Sequence, residues 1–152
     1  MNHKIAWLAC LGTLLLGLFA CSTTGTKSTI VWQSYDPVVL DRAKQEGRPI
    51  ILEFYADWCV PCKELERFTF SDQRVIKSTE DFVRLRVDLS NYDSAESVNI
   101  RRQFNVTGVP EIMFFDSQGG EVNAARVIGF LSANDFLQRI KKARFSQMWT
   151  GV

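Results

Sequence analysis

The sequence predicts an α/β fold, a three-layer α/β/α sandwich around a central mixed β-sheet. Strand and helix patterns alternate along the chain and end in a strand hairpin and a last helix, an order that covers both faces of one sheet. Residues 50–55 form an almost continuous apolar run, typical of a strand buried on both faces. Cys59 and Cys62 follow this strand directly, at the start of a predicted helix.

The N-terminus has the pattern of a secretory leader. A basic start at 1–4 precedes an uncharged run at 5–19, and a small residue then precedes Cys21. A cysteine at that place resembles the bacterial lipobox, which implies lipid transfer to Cys21 and cleavage before it. Simple secretion is one alternative. An uncleaved anchor is the other, although the apolar run is short for a membrane span.

We therefore expect three segments. They are a lipoprotein signal peptide over 1–20, a Ser/Thr-rich tether over 21–29 and one domain over 30–152. All three interpretations of the leader place the domain outside the cytoplasm. We expect the periplasm, with a lipid on Cys21 that enters the outer membrane rather than the inner one, because Ser22 and not an aspartate follows.

Composition limits the classes of function. The formal net charge is +1 and no basic run occurs, so nothing predicts a nucleic-acid partner. A hydrophobic content of 46% is typical of a packed domain rather than a disordered segment. We find no repeat, and we expect a monomer.

The first half of the domain contains elements that are marked by their end signals. Asp36 and Pro37 are typical of a helix start, Gly47 of a helix end, and Asp72 of a second cap. The predicted segments are a short strand over 30–32, a helix over 36–46, a strand over 50–55, a helix over 59–68 and a capped turn over 71–77.

The second half alternates in the same way and ends in a hairpin and a helix. Ser132 to Asp135 resembles a capping box, and Phe136, Leu137 and Ile140 would form the inner stripe of the helix that it opens. The predicted segments are a strand over 82–88, a helix over 94–104, a strand over 111–115, a turn over 116–120, a strand over 125–128 and a helix from 132.

The cysteine pair has the sequence context of redox chemistry. A helix that begins at Cys59 directs unpaired N–H groups and its positive end towards the sulfur, which favours the reactive thiolate. Cys59 is therefore the predicted nucleophile. Cys62, one turn later, would close the redox-active disulfide and release the product.

Other cofactors are not expected. The four cysteines are at 10, 21, 59 and 62, and the only histidine is His3 in the leader. A zinc site needs about four ligands, so we predict no metal site. No flavin or nicotinamide motif occurs, and the thiol pair would be the whole redox centre.

Five stretches of the sequence carry a resemblance to a known family. They are 55–64 (YADWCVPCKE), 69–72 (TFSD), 108–110 (GVP), 114–116 (FFD) and 126–130 (RVIGF). With these motifs the chain resembles the thioredoxin-fold family, and within it the C-terminal periplasmic domains of the DsbD family, from about residue 35 to 142. One departure is Arg67, at a position where thioredoxins often have a proline.

The resemblance implies a substrate-binding surface beside the cysteines. Pro110 should follow Val109 through a cis peptide bond, which would leave the Val109 backbone free to pair with an extended substrate segment. A trans proline at the start of an ordinary strand is the alternative. Trp58 would cover the pair and contact the substrate.

Two carboxylates are the other candidate catalytic residues. Glu53 lies where thioredoxins carry a buried aspartate, and Glu66 lies where DsbD-like domains also have an acid. A buried carboxyl with a raised pKa could accept the proton of Cys62 as a general base. The alternatives are a structural ion pair of Glu53 with Arg84 and an ordinary exposed position for Glu66.

These observations favour a protein-disulfide reductase. Strong oxidants of this fold carry a histidine between the cysteines, whereas this chain has Val60 and Pro61. The expected substrates are proteins with disulfides or oxidised thiols, and the expected electron donor is a membrane protein of DsbD or CcdA type. A thiol oxidase or isomerase and a non-catalytic tethered binding module remain the alternatives.

Overall fold

The structure, a computed structural model, describes residues 29–149 of the chain. The predicted signal peptide, the lipidation site Cys21 and most of the tether lie outside the described residues. The strands are β1 (Gln33–Ser34), β2 (Ile50–Tyr55), β3 (Val83–Asp88), β4 (Glu111–Phe115) and β5 (Val127–Ile128). The helices are α1 (Pro37–Gln45), α2 (Val60–Glu64), α3 (Gln73–Ser78), α4 (Ala95–Gln103) and α5 (Ala133–Trp149), with a π-helical turn over Leu65–Thr69 and a 3₁₀ turn over Asn123–Ala125.

The strands form one mixed sheet in the order β1-β3-β2-β4-β5. The central strand β2 pairs parallel with β3 and antiparallel with β4, and the two edge pairings are β1 with β3 and β4 with β5. The three-layer α/β/α sandwich with a mixed sheet is thus confirmed. No helix within residues 29–149 combines the length and the apolar character that crossing a membrane requires.

Alternation along β2 divides the apolar interior into two cores. Ile51 faces a core that the π-helical turn, α3 and α5 cover, whereas Leu52 faces a core that α1 and the end of α4 cover. Both residues are fully buried, as the apolar run predicts for a central strand. The carboxyl end of β2, where the cysteine pair follows, is thereby fixed from both sides of the sheet.

The predicted helix caps are confirmed. An Oδ1 atom accepts the N–H of the second following residue at 2.8 Å, both at Asp36 and at Asp72. The Ser132 hydroxyl accepts the N–H of Asp135 at 3.3 Å and donates to its carboxylate. The side chains of Phe136 and Ile140 are buried on the inner face of α5 as expected.

Three elements differ from the prediction in more than their end residues. The first strand begins only at Gln33, because the N–H of Ile30 bonds to the carbonyl of Phe70 before the chain comes into register with β3. The last hairpin strand contains only Val127–Ile128, since the residues before it form a 3₁₀ turn. The helix after the cysteines widens into the π-helical turn, where the Phe70 N–H bonds to Leu65 O at 2.8 Å.

The aromatic cluster under α5 generates a stability prediction. The Phe136 ring lies 5.6 Å from that of Phe70 and 5.9 Å from that of Phe114. Removing it leaves a cavity, so Phe136→Ala should lower the free energy of unfolding by about 3–5 kcal/mol. Phe145→Ala is the matched control, because that ring is 58% exposed on the same helix and should cost about 0.5 kcal/mol or less. Urea unfolding compares the two, and equal costs would contradict the described core.

Candidate active site

The cysteine pair lies at the carboxyl end of β2 and opens α2. Cys59 is the N-cap residue of the helix, and its sulfur accepts the N–H of Cys62 at 3.1 Å. The two residues form a disulfide with an S–S distance of 2.01 Å, and each is only 3% exposed. An N–H group aimed at the Cys59 sulfur stabilises negative charge there, so the position favours a thiolate once the disulfide is reduced.

The Val109–Pro110 peptide bond is cis, in agreement with the expectation from the resemblance. Val109 packs against the cluster of Ala56, Cys59 and Cys62. No other backbone group among residues 29–149 forms a hydrogen bond with the N–H or the carbonyl of Val109. The N–H and carbonyl of Val109, in a bend of the chain, therefore lie without a backbone partner beside the disulfide.

Trp58 lies in the turn between β2 and α2 and is 55% exposed. Its indole N–H donates to the carbonyl of Ser90 at 3.0 Å, and its ring meets the Tyr92 ring edge-on at 5.9 Å. The N–H of the exposed residue Asp57 donates to the Ser90 hydroxyl at 2.9 Å. The loop after β3 thus holds the tryptophan in place while one side of the ring faces solvent.

A shared arginine brings the two predicted carboxylates together. Arg86 donates through Nε to Glu53 at 2.6 Å and through its Nη2 to Glu66. Glu53 is fully buried, whereas Glu66 is partly exposed on the π-helical turn. The prediction that Arg84 would pair with Glu53 is wrong. The parallel register places Arg86 opposite Glu53 and Arg84 opposite Ile51.

The Arg86 guanidinium is held by aromatic rings as well as by carboxylates. It lies 4.5 Å from the centre of the Tyr55 ring and 5.0 Å from that of Trp32. Rings on a guanidinium stabilise its charge while they remove water from it. Sequence analysis missed Arg86. The sequence shows only two arginines, Arg84 and Arg86, on a strand that follows the buried glutamate, and the register that selects Arg86 is not visible in it.

Burial raises the pKa of Glu53 to about 7, although the charge and hydrogen bond of Arg86 act in the opposite direction. The Glu66 carboxylate raises it further. One oxygen of Glu53, Oε1, is buried without a hydrogen-bond partner. Removal of the carboxyl from water outweighs the single arginine contact, so the carboxyl binds and releases a proton near neutral pH.

A cleft of about 210 Å³ lies between β2 and the active-site helix, and Glu53 is not among the residues that line it. Its lining includes Cys62, Glu66 and Arg86. A proton that leaves the Cys62 thiol therefore enters a space lined by these charged groups. Within residues 29–149 no cluster of three or more metal-binding side chains occurs.

Comparison with known proteins identifies the family. The profile of the thioredoxin-like domain matches residues 37–144. The chain belongs to the thioredoxin-like domain family. By its fold and its Cys59–Cys62 pair it is a thioredoxin-like disulfide oxidoreductase.

Several curated relatives carry the name thiol:disulfide interchange protein DsbD. The thiol:disulfide interchange protein DsbD of Yersinia pestis is 46% identical over 99 residues, which are 65% of this chain and 16% of that protein. The protein of the same name from Actinobacillus pleuropneumoniae is 48% identical over 92 residues, again 16% of its length. The thioredoxin-like chain thus spans about one sixth of the curated relatives that it matches.

Solved structures agree on the fold. The oxidised C-terminal domain of DsbD from Neisseria meningitidis has a TM-score of 0.59 at 23% identity, covering 77% of this chain and 100% of that domain. A thioredoxin from Thermus thermophilus has a TM-score of 0.65 at 23% identity, covering 82% and 95%. Both share the thioredoxin-like arrangement.

The pKa of Glu53 generates a prediction about stability and pH. Between its ordinary value of 4.5 and about 7, the folded state holds a proton that the unfolded chain has released. The stabilisation is therefore complete below about pH 4.5 and is lost as the pH rises through about 7. Relative to Glu53→Gln, the wild type should lose on the order of 3 kcal/mol of unfolding free energy over this range.

Urea unfolding of the oxidised protein at pH 4.5, 6 and 8 measures this difference. Glu64→Gln is the matched control, since Glu64 is exposed on the neighbouring α2 and should show the pH profile of the wild type. Parallel pH profiles for wild type and Glu53→Gln would show that Glu53 does not carry the shifted proton.

Proposed function

We propose that this chain is an extracytoplasmic thiol:disulfide reductase that is anchored to a membrane through a lipid on Cys21. The observation that carries the proposal is the Cys59 sulfur, which accepts the Cys62 N–H and lies beside the unpaired backbone of Val109. This arrangement combines a stabilised thiolate with a place for an extended polypeptide. Its substrates are proteins with disulfides or oxidised thiols.

The reaction with a disulfide proceeds by two exchanges. The Cys59 thiolate attacks one substrate sulfur, which forms a mixed disulfide and releases the other substrate sulfur as a thiolate that takes a proton. The Cys62 thiol then loses its proton and attacks the Cys59 sulfur. This step forms the Cys59–Cys62 disulfide and releases the second substrate sulfur as a thiolate. This thiolate takes up the proton that Cys62 lost, so the substrate gains two electrons and two protons.

The second step requires a base for the Cys62 proton. Glu53 has a pKa of about 7, which matches the pH at which a general base must both accept and release protons. Glu66 lines the same cleft as Cys62 and shares Arg86 with Glu53. We assign proton acceptance to this pair, with Arg86 holding both carboxylates in place.

Three residues form the proposed substrate-binding surface. Trp58 supplies an exposed aromatic face, and Val109 supplies an N–H and a carbonyl for backbone pairing. Pro110 fixes the chain direction beside the disulfide. An extended segment bound in this way adds a short strand, a common mode of peptide recognition.

The direction of electron flow follows from the residues between the cysteines. Val60 and Pro61 supply no cation or donor side chain that would stabilise the thiolate further, and strong oxidants of this fold depend on such stabilisation. An oxidising compartment requires a donor to keep the pair reduced. We propose a membrane protein of DsbD or CcdA type as this donor, in keeping with the name of the curated relatives.

The proposed organisation has the signal peptide at 1–20, the tether at 21–29 and the domain at 30–152. We place the monomeric domain in the periplasm, with the lipid in the outer membrane. The similarity to DsbD supports the periplasm. The lipid and the outer membrane rest on the leader pattern alone, with Ser22 after Cys21.

The equilibrium reduction potential of the purified chain tests the direction. Exchange against a thioredoxin couple should give a value near that of thioredoxin, roughly −270 mV. A value of about −120 mV would instead favour a thiol oxidase. Cys59→Ser is the control and should abolish exchange. A wild-type pair that fails to exchange would favour a non-catalytic binding module.

Replacing the proposed lipid acceptor tests the anchor. In bacteria that express the full chain, Cys21→Ser should abolish incorporation of labelled fatty acid and release the protein from the membrane fraction, because the acceptor thiol is lost. Cys10→Ser is the matched control, since Cys10 lies in the same leader and should leave labelling unchanged. Labelling that survives Cys21→Ser would contradict the proposed anchor.

A further inference from the structure

A second buried ion pair lies at the start of β4, next to the proposed substrate-binding loop. Glu111 is 1% exposed, and its Oε1 accepts the Nε–H of Arg126 at 2.6 Å. The Nη1 of Arg126 also donates to Glu121 at 2.9 Å. Neither the fold nor the proposed exchange reaction explains why a charged pair is buried here.

The arginine of this pair holds the end of α4. Its Nη2 donates to the carbonyls of Phe104 and Asn105, each at 3.0 Å. Asn105 has a φ of 52°, in the left-handed region where the chain leaves the helix. Arg126 thus binds two consecutive carbonyls at the point where the loop towards the disulfide begins.

The carboxylate of the pair holds the middle of the same loop. The second oxygen of Glu111 accepts the N–H of Thr107 at 3.1 Å. One charged pair therefore connects residues 104, 105 and 107 with the first residue of β4. Val109 lies between Thr107 and Glu111, and its backbone N–H and carbonyl have no backbone partner within residues 29–149.

Neutral hydrogen bonds also hold this loop. The Val106 N–H bonds to the carbonyl of Arg101 at 2.8 Å, and the Tyr92 hydroxyl lies 3.5 Å from the carbonyl of Thr107. On the far side, the Gly129 N–H bonds to the carbonyl of Pro110 at 2.9 Å. The hydrogen bonds that Glu111 and Arg126 form with this segment are instead charge-assisted. Such hydrogen bonds are about twice as strong as neutral ones.

We propose that Glu111 and Arg126 are positioning residues that hold the loop over 107–110 in the geometry required for backbone pairing with an extended polypeptide substrate. The inference rests on the proposed function and adds to it a preference for polypeptide substrates over small disulfides. Fixing the loop before binding removes an ordering cost from the complex with a polypeptide. A small disulfide without peptide groups makes no backbone pairs and gains nothing from the fixed loop.

Two disulfides measured with the same reduced protein separate these effects. One is a dimer of an eight-residue linear peptide joined through its cysteines, and the other is bis(2-hydroxyethyl) disulfide. Glu111→Gln keeps the shape of the side chain and removes its charge. We expect kcat/KM for the peptide to fall about tenfold, through a raised KM, because the unfixed loop binds the peptide more weakly by about 1.4 kcal/mol. For the small disulfide, kcat/KM should change by less than about twofold.

Two further variants make the result decisive. Glu121→Gln is the matched control, because Glu121 contacts the same arginine but not the N–H of Thr107, and both kcat/KM values should stay near those of the wild type. Arg126→Lys retains a cation beside Glu111, but one ammonium group cannot replace the fork that binds both carbonyls. It should show the same selective loss, and it serves as the test if Glu111→Gln does not fold.

The outcomes are distinct. A fall for the peptide alone supports the positioning role. An equal fall for both disulfides, or no fall for either, would overturn it and leave Glu111 and Arg126 with a purely structural role. A wild-type protein that reduces neither disulfide would refute the proposed function itself, and the inference with it.

Discussion

The site depends on a carboxyl group that is buried in the middle of the central strand. Glu53 occupies a position in β2 where every neighbour along the strand is buried or half-buried, so the carboxyl must be neutral or paired. Arg86 from the adjacent strand provides one contact and continues to Glu66 on the π-helical turn. The same guanidinium thus fixes the active-site helix against the sheet and leaves Glu53 near its point of titration.

A second arginine, Arg126, binds a buried carboxylate on the opposite face of the sheet. Alternation along paired strands puts Glu53 of β2 and Glu111 of β4 on different sides of the sheet, because Glu111 lies opposite the next residue, Phe54. Arg86 binds the first carboxylate and Arg126 the second. The active-site helix and the loop beside the dithiol are therefore held to the sheet by separate ion pairs, one on each face of the sheet.

Much of the fold could be predicted because local patterns and burial agree. The apolar run of β2 and the caps at Asp36, Asp72 and Ser132 predicted their elements correctly, since each signal depends on groups only a few residues apart. The first strand was placed three residues too early. Its start depends on a backbone contact of Ile30 with a distant segment, which no local pattern shows.

By itself the sequence determined the chemistry of the pair, because Cys59 and Cys62 are one helical turn apart and their redox context is local. The resemblance supplied the cis bond before Pro110. Only the tertiary structure decided which charges meet. Arg84 and Arg86 are two residues apart on β3, so both lie on the same face of the sheet. Only the register of β2 with β3 selects Arg86 as the partner of the buried glutamate. Strand register is set by the packing of the whole sheet, so a pattern along one strand does not contain it.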